Sequence, residues 1–469
     1  MKKPSLTPLL ALLLAFCSNT IPVTAQWASF SAGNTNGFIV EFAEHEGSLY
    51  ATGLFSRIGG VQANYIARWN GAAWEPVGGG LPDEGHSMLS FGGALHVAKY
   101  EWAADSNYLF RWNSSISTWS RLGNGFYLTT GVPGFTSQTP SLYALAEYDG
   151  QLLVAGEFDR IGADTISGIA AWNGVKWEPL GKGFSGYIEG GPPIMYPHSM
   201  AVQDGWLYVA GNFKTAGEVE ANGIARWNGS VWEAVGTGFN GAVYGITFHN
   251  GELYAGGAFT RSGENELGYV AKWDGAEWVN PGVSVDYATI PPYPFVHTLR
   301  SINGQLYVLG GFDQCTGANG MDIPCGGILA FDGETWDGLD GGLSGEAEAI
   351  IPYEGGILVG GFFNRAGGVT VNNMALWGVV SSAEEDIAGS PSVEVFPNPV
   401  REAFFLQLPE GVFECAYILY DAMGRPVRRG RYSGREAISA DGLAPGLYGL
   451  EVRTGTGVAM KKVMVGKAE

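Results

Sequence analysis

Nine residues before a repeated Leu or Ile, the chain places Val40, His86, Tyr143, His198, Tyr244, His297 and Glu348. Three imidazoles, two phenols and a carboxyl at one register can ligate a metal, move a proton or hydrogen-bond a polar ligand. Three long connections, 123–141, 181–198 and 282–297, precede members of this set. They carry Phe126, Tyr127, Phe135, Phe184, Tyr187, Tyr196, Tyr287, Tyr293 and Phe295. Long loops on a rigid scaffold are where binding concentrates, and aromatic faces suit sugar rings or protein anchors. The candidate ligand-binding residues are therefore His86, Tyr143, His198, Tyr244, His297, Glu348, Tyr187, Tyr196 and Tyr293. The loops either present this surface or fold over and plug it.

Catalytic motifs are absent. The sequence has no His-Glu-x-x-His, no Gly-x-Ser-x-Gly, no phosphate-cradling glycine loop and no paired-Cys zinc pattern. Asp332-Gly333-Glu334-Thr335-Trp336 only approximates a sialidase-type Asp box. No catalytic residue and no cofactor is assigned, and metal occupancy is left open. Strands facing each other across a wide channel are expected to stand too far apart for one ion with bonds near ~2 Å, so a solvated channel mouth is the expectation.

The elements that position these groups follow from an internal repeat. A Gly-x-Leu-Tyr-like start recurs seven times, at Gly47, Gly93, Gly150, Gly205, Gly251, Gly304 and Gly355. A Trp-Asn-Gly-x-x-Trp-like turn follows it in six complete copies, from Trp69-Asn70-Gly71 with Trp74 to Phe331-Asp332-Gly333 with Trp336. The seventh copy stops at Leu376-Trp377, while Trp27, Phe30 and Gly33 match the spacing of Trp74, Val77 and Gly80. The spacing predicts an all-β, seven-bladed β-propeller over residues 26–380 closed by the N-terminal strand, which removes the open edge. Asp149-Gly150 and Asn250-Gly251 are hairpin signals, and thirteen of the fifteen Trp stand at repeat positions between blades. In Leu306-Tyr307-Val308-Leu309-Gly310-Gly311 the repeat resembles kelch-type propellers. In Gly223-Ile224-Ala225-Arg226-Trp227 it resembles the repeats of fungal cortical polarity markers and bacterial surface proteins. That resemblance implies a fold, not an activity.

Charge divides the chain. Overall it carries 26 basic and 46 acidic side chains, net −20. Residues 391–469 hold 10 basic and 9 acidic side chains, against 14 and 37 over residues 26–390. An acidic propeller is no nucleic-acid partner, since that binding begins with cationic neutralisation. Residues 381–390 read as a linker, and 391–469 as a small Ig-like β-sandwich with strands at 392–396, 403–408, 416–420, 448–453 and 459–465. Phe396-Pro397-Asn398-Pro399, Gly424 in Tyr420-Asp421-Ala422-Met423-Gly424-Arg425, Gly446 and Tyr448 in Leu443-Ala444-Pro445-Gly446-Leu447-Tyr448, and Lys461-Lys462 are notable. With them the segment resembles the type A sorting domain of type IX secretion in Bacteroidota. The resemblance implies the type IX machinery as partner, export through the outer membrane, and release or surface attachment.

Lys2, Lys3, the apolar run 9–16 and Val23-Thr24-Ala25 read as a signal peptide over residues 1–25, cut near Ala25. No later run reaches ~18 apolar residues, so no transmembrane segment is expected in the mature chain. Cys17 leaves with that peptide, Cys315 and Cys325 are a candidate loop disulfide, and Cys415 is a buried apolar residue. These features suggest a secreted, non-catalytic glycan- or protein-binding propeller. The alternatives are a glycan-active hydrolase or lyase at the channel mouth and a structural surface protein.

Overall fold

The computed structural model describes residues 26–30, 33–99, 105–129, 139–188, 194–287, 294–378, 393–398, 400–409, 411–420, 426–434, 437–443, 446–454 and 457–466. The leader 1–25 and linker 381–390 therefore lie outside the described residues. Among the described residues there is no helix.

Up to Gly378, antiparallel four-strand units repeat seven times, the second continued by a neighbouring hairpin. Their first strands are Phe38–His45, Gly85–Phe91, Ser141–Tyr148, Tyr196–Gln203, Val243–His249, Phe295–Ile302 and Glu346–Tyr353. Each first strand lies against that of the next sheet, and Glu346–Tyr353 lies against Phe38–His45. We call these the inner strands and number the sheets by them. In the seventh sheet the outermost strand is Trp27–Ser29, with Ala28 opposite Leu376 and Trp27 opposite Trp377.

The turns follow from residue chemistry. Asp149-Gly150 and Asn250-Gly251 have positive φ at both positions, the geometry that matches strand twist in a two-residue hairpin. The Trp-Asn-Gly turn works differently. Asn70 Oδ1 accepts hydrogen bonds from the amides of Ala72 and Ala73, and Asp274 and Asp332 repeat the arrangement. An Asx side chain here replaces a backbone acceptor.

The core lies between sheets rather than within one. Seven apolar clusters sit at the seven junctions, for example Ile66, Leu95 and Val97 between the first and second sheets. The cluster joining the last sheet to the first holds Ile39, Phe42, Leu358 and Met374. Around the outside, paired indoles repeat: Trp112–Trp119 at 5.1 Å, Trp172–Trp177 at 5.2 Å and Trp227–Trp232 at 5.2 Å between centroids. The second Trp of each pair donates its Nε1–H to the previous sheet, Trp119 to Val77 O, Trp177 to Leu122 O, Trp232 to Leu180 O, Trp278 to Val235 O and Trp336 to Pro281 O. Trp27 stands 5.1 Å from Trp377 and donates to Leu339 O at 2.6 Å, filling the place the seventh repeat leaves vacant. Trp74 is the exception, its indole N–H having no partner among the described residues.

Phe126 and Phe184 correct the loop reading. Both are in strands and almost fully buried, at 0% and 1% exposure. They fall seven residues after Trp119 and Trp177, the place Leu81, Phe239 and Leu343 hold after Trp74, Trp232 and Trp336. Repeat register, not loop length, decides their role.

In the C-terminal segment, Cys415–Tyr420, Pro426–Tyr432, Gly446–Thr454 and Gly457–Val465 form one sheet, and Glu394–Phe396, Ala403–Gln407 and Ile438–Ser439 form another. Val393, Phe404, Leu419, Leu450, Val463 and the free thiol of Cys415 share their core. Two strands, Pro426–Tyr432 and Ile438–Ser439, were not expected. The first is Arg-rich and lies at a sheet edge, where a leading Pro and exposed charge are tolerated and apolar alternation is not required.

Candidate functional site

Every inner strand carries one β-bulge, and its position is the same in all seven sheets. Pairing skips between Ile39 and Glu41, Gly85 and Ser87, Leu142 and Ala144, Pro197 and Ser199, Val243 and Gly245, Val296 and Thr298, and Ala347 and Ala349. The skipped residues are Val40, His86, Tyr143, His198, Tyr244, His297 and Glu348. A bulged residue leaves the ladder and its side chain is re-aimed, so one backbone device serves all seven positions. In six of the seven sheets the residue opposite the bulge is a glycine, Lys99 taking its place in the second. A Cβ on Gly156 or Gly257 would lie 2.1 Å from the carbonyl oxygen of Ser141 or Ala242.

The re-aimed side chains meet. One ring nitrogen each from His86, His198 and His297 lies within 4.8 Å of the other two. The expectation of strands too far apart for one ion is thereby corrected, because the bulges carry the imidazoles inward from strands that remain apart. Tyr143 stacks on His198 at 5.2 Å and 24°, and Tyr244 lies 5.5 Å from His198. His86 Nδ1–H donates to Tyr143 O at 3.3 Å and His198 Nδ1–H to Tyr244 O at 2.8 Å. Each bond ties a sheet to the next and fixes the tautomer, leaving Nε2 as the nitrogen with a free lone pair.

Burial sets the charge state. Desolvation pushes His86 down to about 4 and His297 to about 3, and holds His198 well below its ordinary value, with His297 and His86 adding repulsion. All three are neutral at physiological pH. On the seventh inner strand, burial lifts Glu348 to about 8, with Glu346, Glu84 and Glu41 adding repulsion. Glu84, 8% exposed, is raised to about 7 by burial and then by Asp83. Beyond the histidines, Arg300 pairs with Glu41 at 3.5 Å, joining the sixth sheet to the first. A cavity of about 80 Å³ is lined by the five aromatic ring residues together with Glu41, Ser87, Ser199 and Arg300.

Of the other candidates, Tyr196 is the first residue of its inner strand and packs 5.5 Å from Tyr143. Tyr187 is exposed at 42% and Tyr287 at 41%. Tyr293 and Phe135 lie outside the described residues. Cys315 and Cys325 form a disulfide across a hairpin that pairs with Val283–Asp286. Of the sorting residues, Pro397, Asn398, Gly446, Tyr448, Lys461 and Lys462 are described, with Tyr448 buried, whereas Pro399 and Gly424 lie outside.

A site the sequence did not point to lies at the junction of the second and third sheets. A cavity of about 330 Å³ there is lined by Phe91, His96, Arg111 and Trp172 among others. At five other junctions the last residue of the inner strand reaches a polar partner across the gap, as His45 reaches Ser90, Tyr148 the carbonyl of Gly205, and His249 Ser301, while the sixth inner strand ends on the apolar Ile302. Phe91 occupies that place here and has no polar group to extend.

Comparison with known proteins gives two family matches. Residues 394–466 match a secretion system C-terminal sorting domain, and residues 203–229 match a domain of unknown function described as a β-propeller. Among curated proteins none matches. Similar solved structures include an extracellular domain assigned to a hybrid two component system of B. thetaiotaomicron, at 10% identity and TM-score 0.43. That alignment covers 94% of this chain and 58% of the other, so this chain spans under two thirds of its length. The computationally designed Ika8 protein follows at 11% identity and TM-score 0.38, covering 91% and 96%. An alpha-L-arabinanase of Penicillium chrysogenum complexed with arabinobiose has 12% identity and TM-score 0.34, covering 66% and 98%. No helix of the described residues is long and apolar enough to cross a membrane. The chain thus carries a secretion system C-terminal sorting domain over residues 394–466 and a stretch matching a β-propeller domain over residues 203–229.

Proposed function

We propose that the chain is cut near Ala25, exported by type IX secretion through its C-terminal domain, and works as a seven-bladed propeller closed by its N-terminal strand. The bulged ring and its surrounding loops bind an extracellular ligand, a glycan in the first place. The observation that carries this is the ring itself: seven residues at one end of the channel, released from the ladder by the same bulge and differing in type. Closure is supported by Trp27, which pairs with Trp377 and donates to Leu339 as its counterparts do elsewhere. Aromatic faces beside polar tips, as in Tyr143, Tyr187, Tyr196 and Tyr244, fit the alternating apolar and hydroxyl surfaces of a sugar.

A glycan array probed with the untagged mature protein tests this, alongside Tyr187→Ala and Tyr196→Ala. Specific binding that falls in both variants is expected; binding equal to that of the parent in both rejects the site. Mass spectrometry of the exported form reports cleavage near Ala25 and within 381–390.

One observation favours a second reading, a glycan-active hydrolase or lyase. Burial raises Glu348 to about 8, which favours the protonated form that can give a proton to a leaving oxygen. Polysaccharide turnover lost in Glu348→Gln and His198→Ala supports it, and no turnover across a broad panel removes it.

A further inference from the structure

We propose that His86, His198 and His297 form a three-histidine binding site for a divalent first-row transition-metal ion, with Zn²⁺ the reference case. The chain has six histidines, and these three, from the second, fourth and sixth sheets, bring one ring nitrogen each to within 4.8 Å of one another. They approach from three directions, with one sheet between His86 and His198, one between His198 and His297, and two between His297 and His86. The remaining histidines, His45, His96 and His249, belong to other parts of the sheets, and two of them are spent on Ser90 and Ser301.

The second feature is how the rings are held. Metal-binding imidazoles commonly donate their non-ligating N–H to a carbonyl or carboxylate, which fixes orientation and raises the basicity of the other nitrogen. His86 and His198 do so, to the carbonyls of Tyr143 and Tyr244. Those carbonyls belong to the next bulged residues, so the device that projects one ring also anchors its neighbour. Tyr143 stacked on His198 restricts it further.

Ligand chemistry selects the ion. Three neutral nitrogens without a carboxylate suit Zn²⁺, Co²⁺, Ni²⁺ or Cu²⁺, whereas Ca²⁺ and Mg²⁺ require oxygen shells. With bonds of about 2.0–2.1 Å, a tetrahedral ion needs nitrogens roughly 3.3 Å apart. The three nitrogens lie within 4.8 Å of one another, so binding an ion draws the rings closer together. Three protein ligands leave a fourth position open for water or a ligand oxygen. The inference stands apart from the glycan reading, since metal binding is measurable with no sugar present.

The test uses untagged protein treated with chelator and titrated with Co²⁺, then Zn²⁺. The expected result is one equivalent of Co²⁺ with the visible absorption of a four-coordinate ion, displaced by Zn²⁺. In His198→Gln affinity should fall by more than the roughly 10–100-fold that loss of an outer-sphere partner costs. His86→Gln and His297→Gln should behave alike, and His249→Gln should bind as the parent does. X-ray absorption on the loaded parent protein, independent of any variant's folding, should show three imidazole nitrogens. No saturable binding, parental binding in the triple Gln variant, or a coordination shell without imidazole overturns the site.

Discussion

The outer belt of indoles and the inner ring of bulged residues are built by the same repeat, yet they treat sequence in opposite ways. In the belt nearly every sheet solves the problem identically, with an indole N–H placed on a carbonyl of the preceding sheet. In the ring the seven equivalent positions hold Val, His, Tyr, His, Tyr, His and Glu. The belt residues are wedged between sheets, so their shape fixes the spacing of the fold. The ring residues have left the ladder and face the channel, so their type is free to vary while the backbone stays constant. Uniform positions here mark architecture and varied positions mark chemistry.

Four changes break or sharpen this contrast. Trp27→Ala removes an indole 5% exposed together with the bond to Leu339, and should cost about 3–5 kcal/mol in urea denaturation. A loss below about 1 kcal/mol would show that the belt is ornament. Replacing Cys315 and Cys325 by Ser opens a loop with sequence separation 10 and should cost about 2–3 kcal/mol, read as a lower thermal midpoint than the oxidised parent. The ring should show its character in pH dependence instead. Glu348 gives up its proton near 4.5 when unfolded and at about 8 when folded, so between these values the folded state holds more protons and stability falls as pH rises. The drop from pH 5 to 8 should be on the order of 1–2 kcal/mol after water access is allowed for, and Glu348→Gln should reduce it, Glu84 at about 7 supplying part of the remainder. An unchanged slope in that variant places the titration elsewhere. Tyr187→Ala, at an exposed position, should shift stability by less than about 0.5 kcal/mol while ligand binding falls. A larger stability loss would move Tyr187 into the architectural class.

Legibility in the sequence follows the same division. The repeat is visible because Trp-Asn-Gly and Asp-Gly perform turn chemistry that few other residues can supply. The ring residues are visible as a register, nine before the repeated Leu or Ile. That each sits on a bulge is not, because a bulge is a property of two paired strands, and its trace is a glycine on the opposite one, such as Gly156 facing the carbonyl of Ser141. Convergence of His86, His198 and His297 was hidden for the same reason, since strand separation alone says nothing of where a bulged side chain ends. Long connections after Phe126 and Phe184 make them look like loop residues, although their distance from Trp119 and Trp177 marks them as core. The Arg-rich strand Pro426–Tyr432 offered no apolar alternation to read.

The pairing of Ala28 with Leu376 joins residues at opposite ends of the propeller sequence. A loop of that length is slow to close, and contacts this distant in sequence delay folding more than they add to final stability. Until Met374–Trp377 has emerged from synthesis, Trp27 has no indole to stack on and the last sheet lacks its outer strand. Pairing of the outermost strand of the seventh sheet thus waits for the last of the four-strand units.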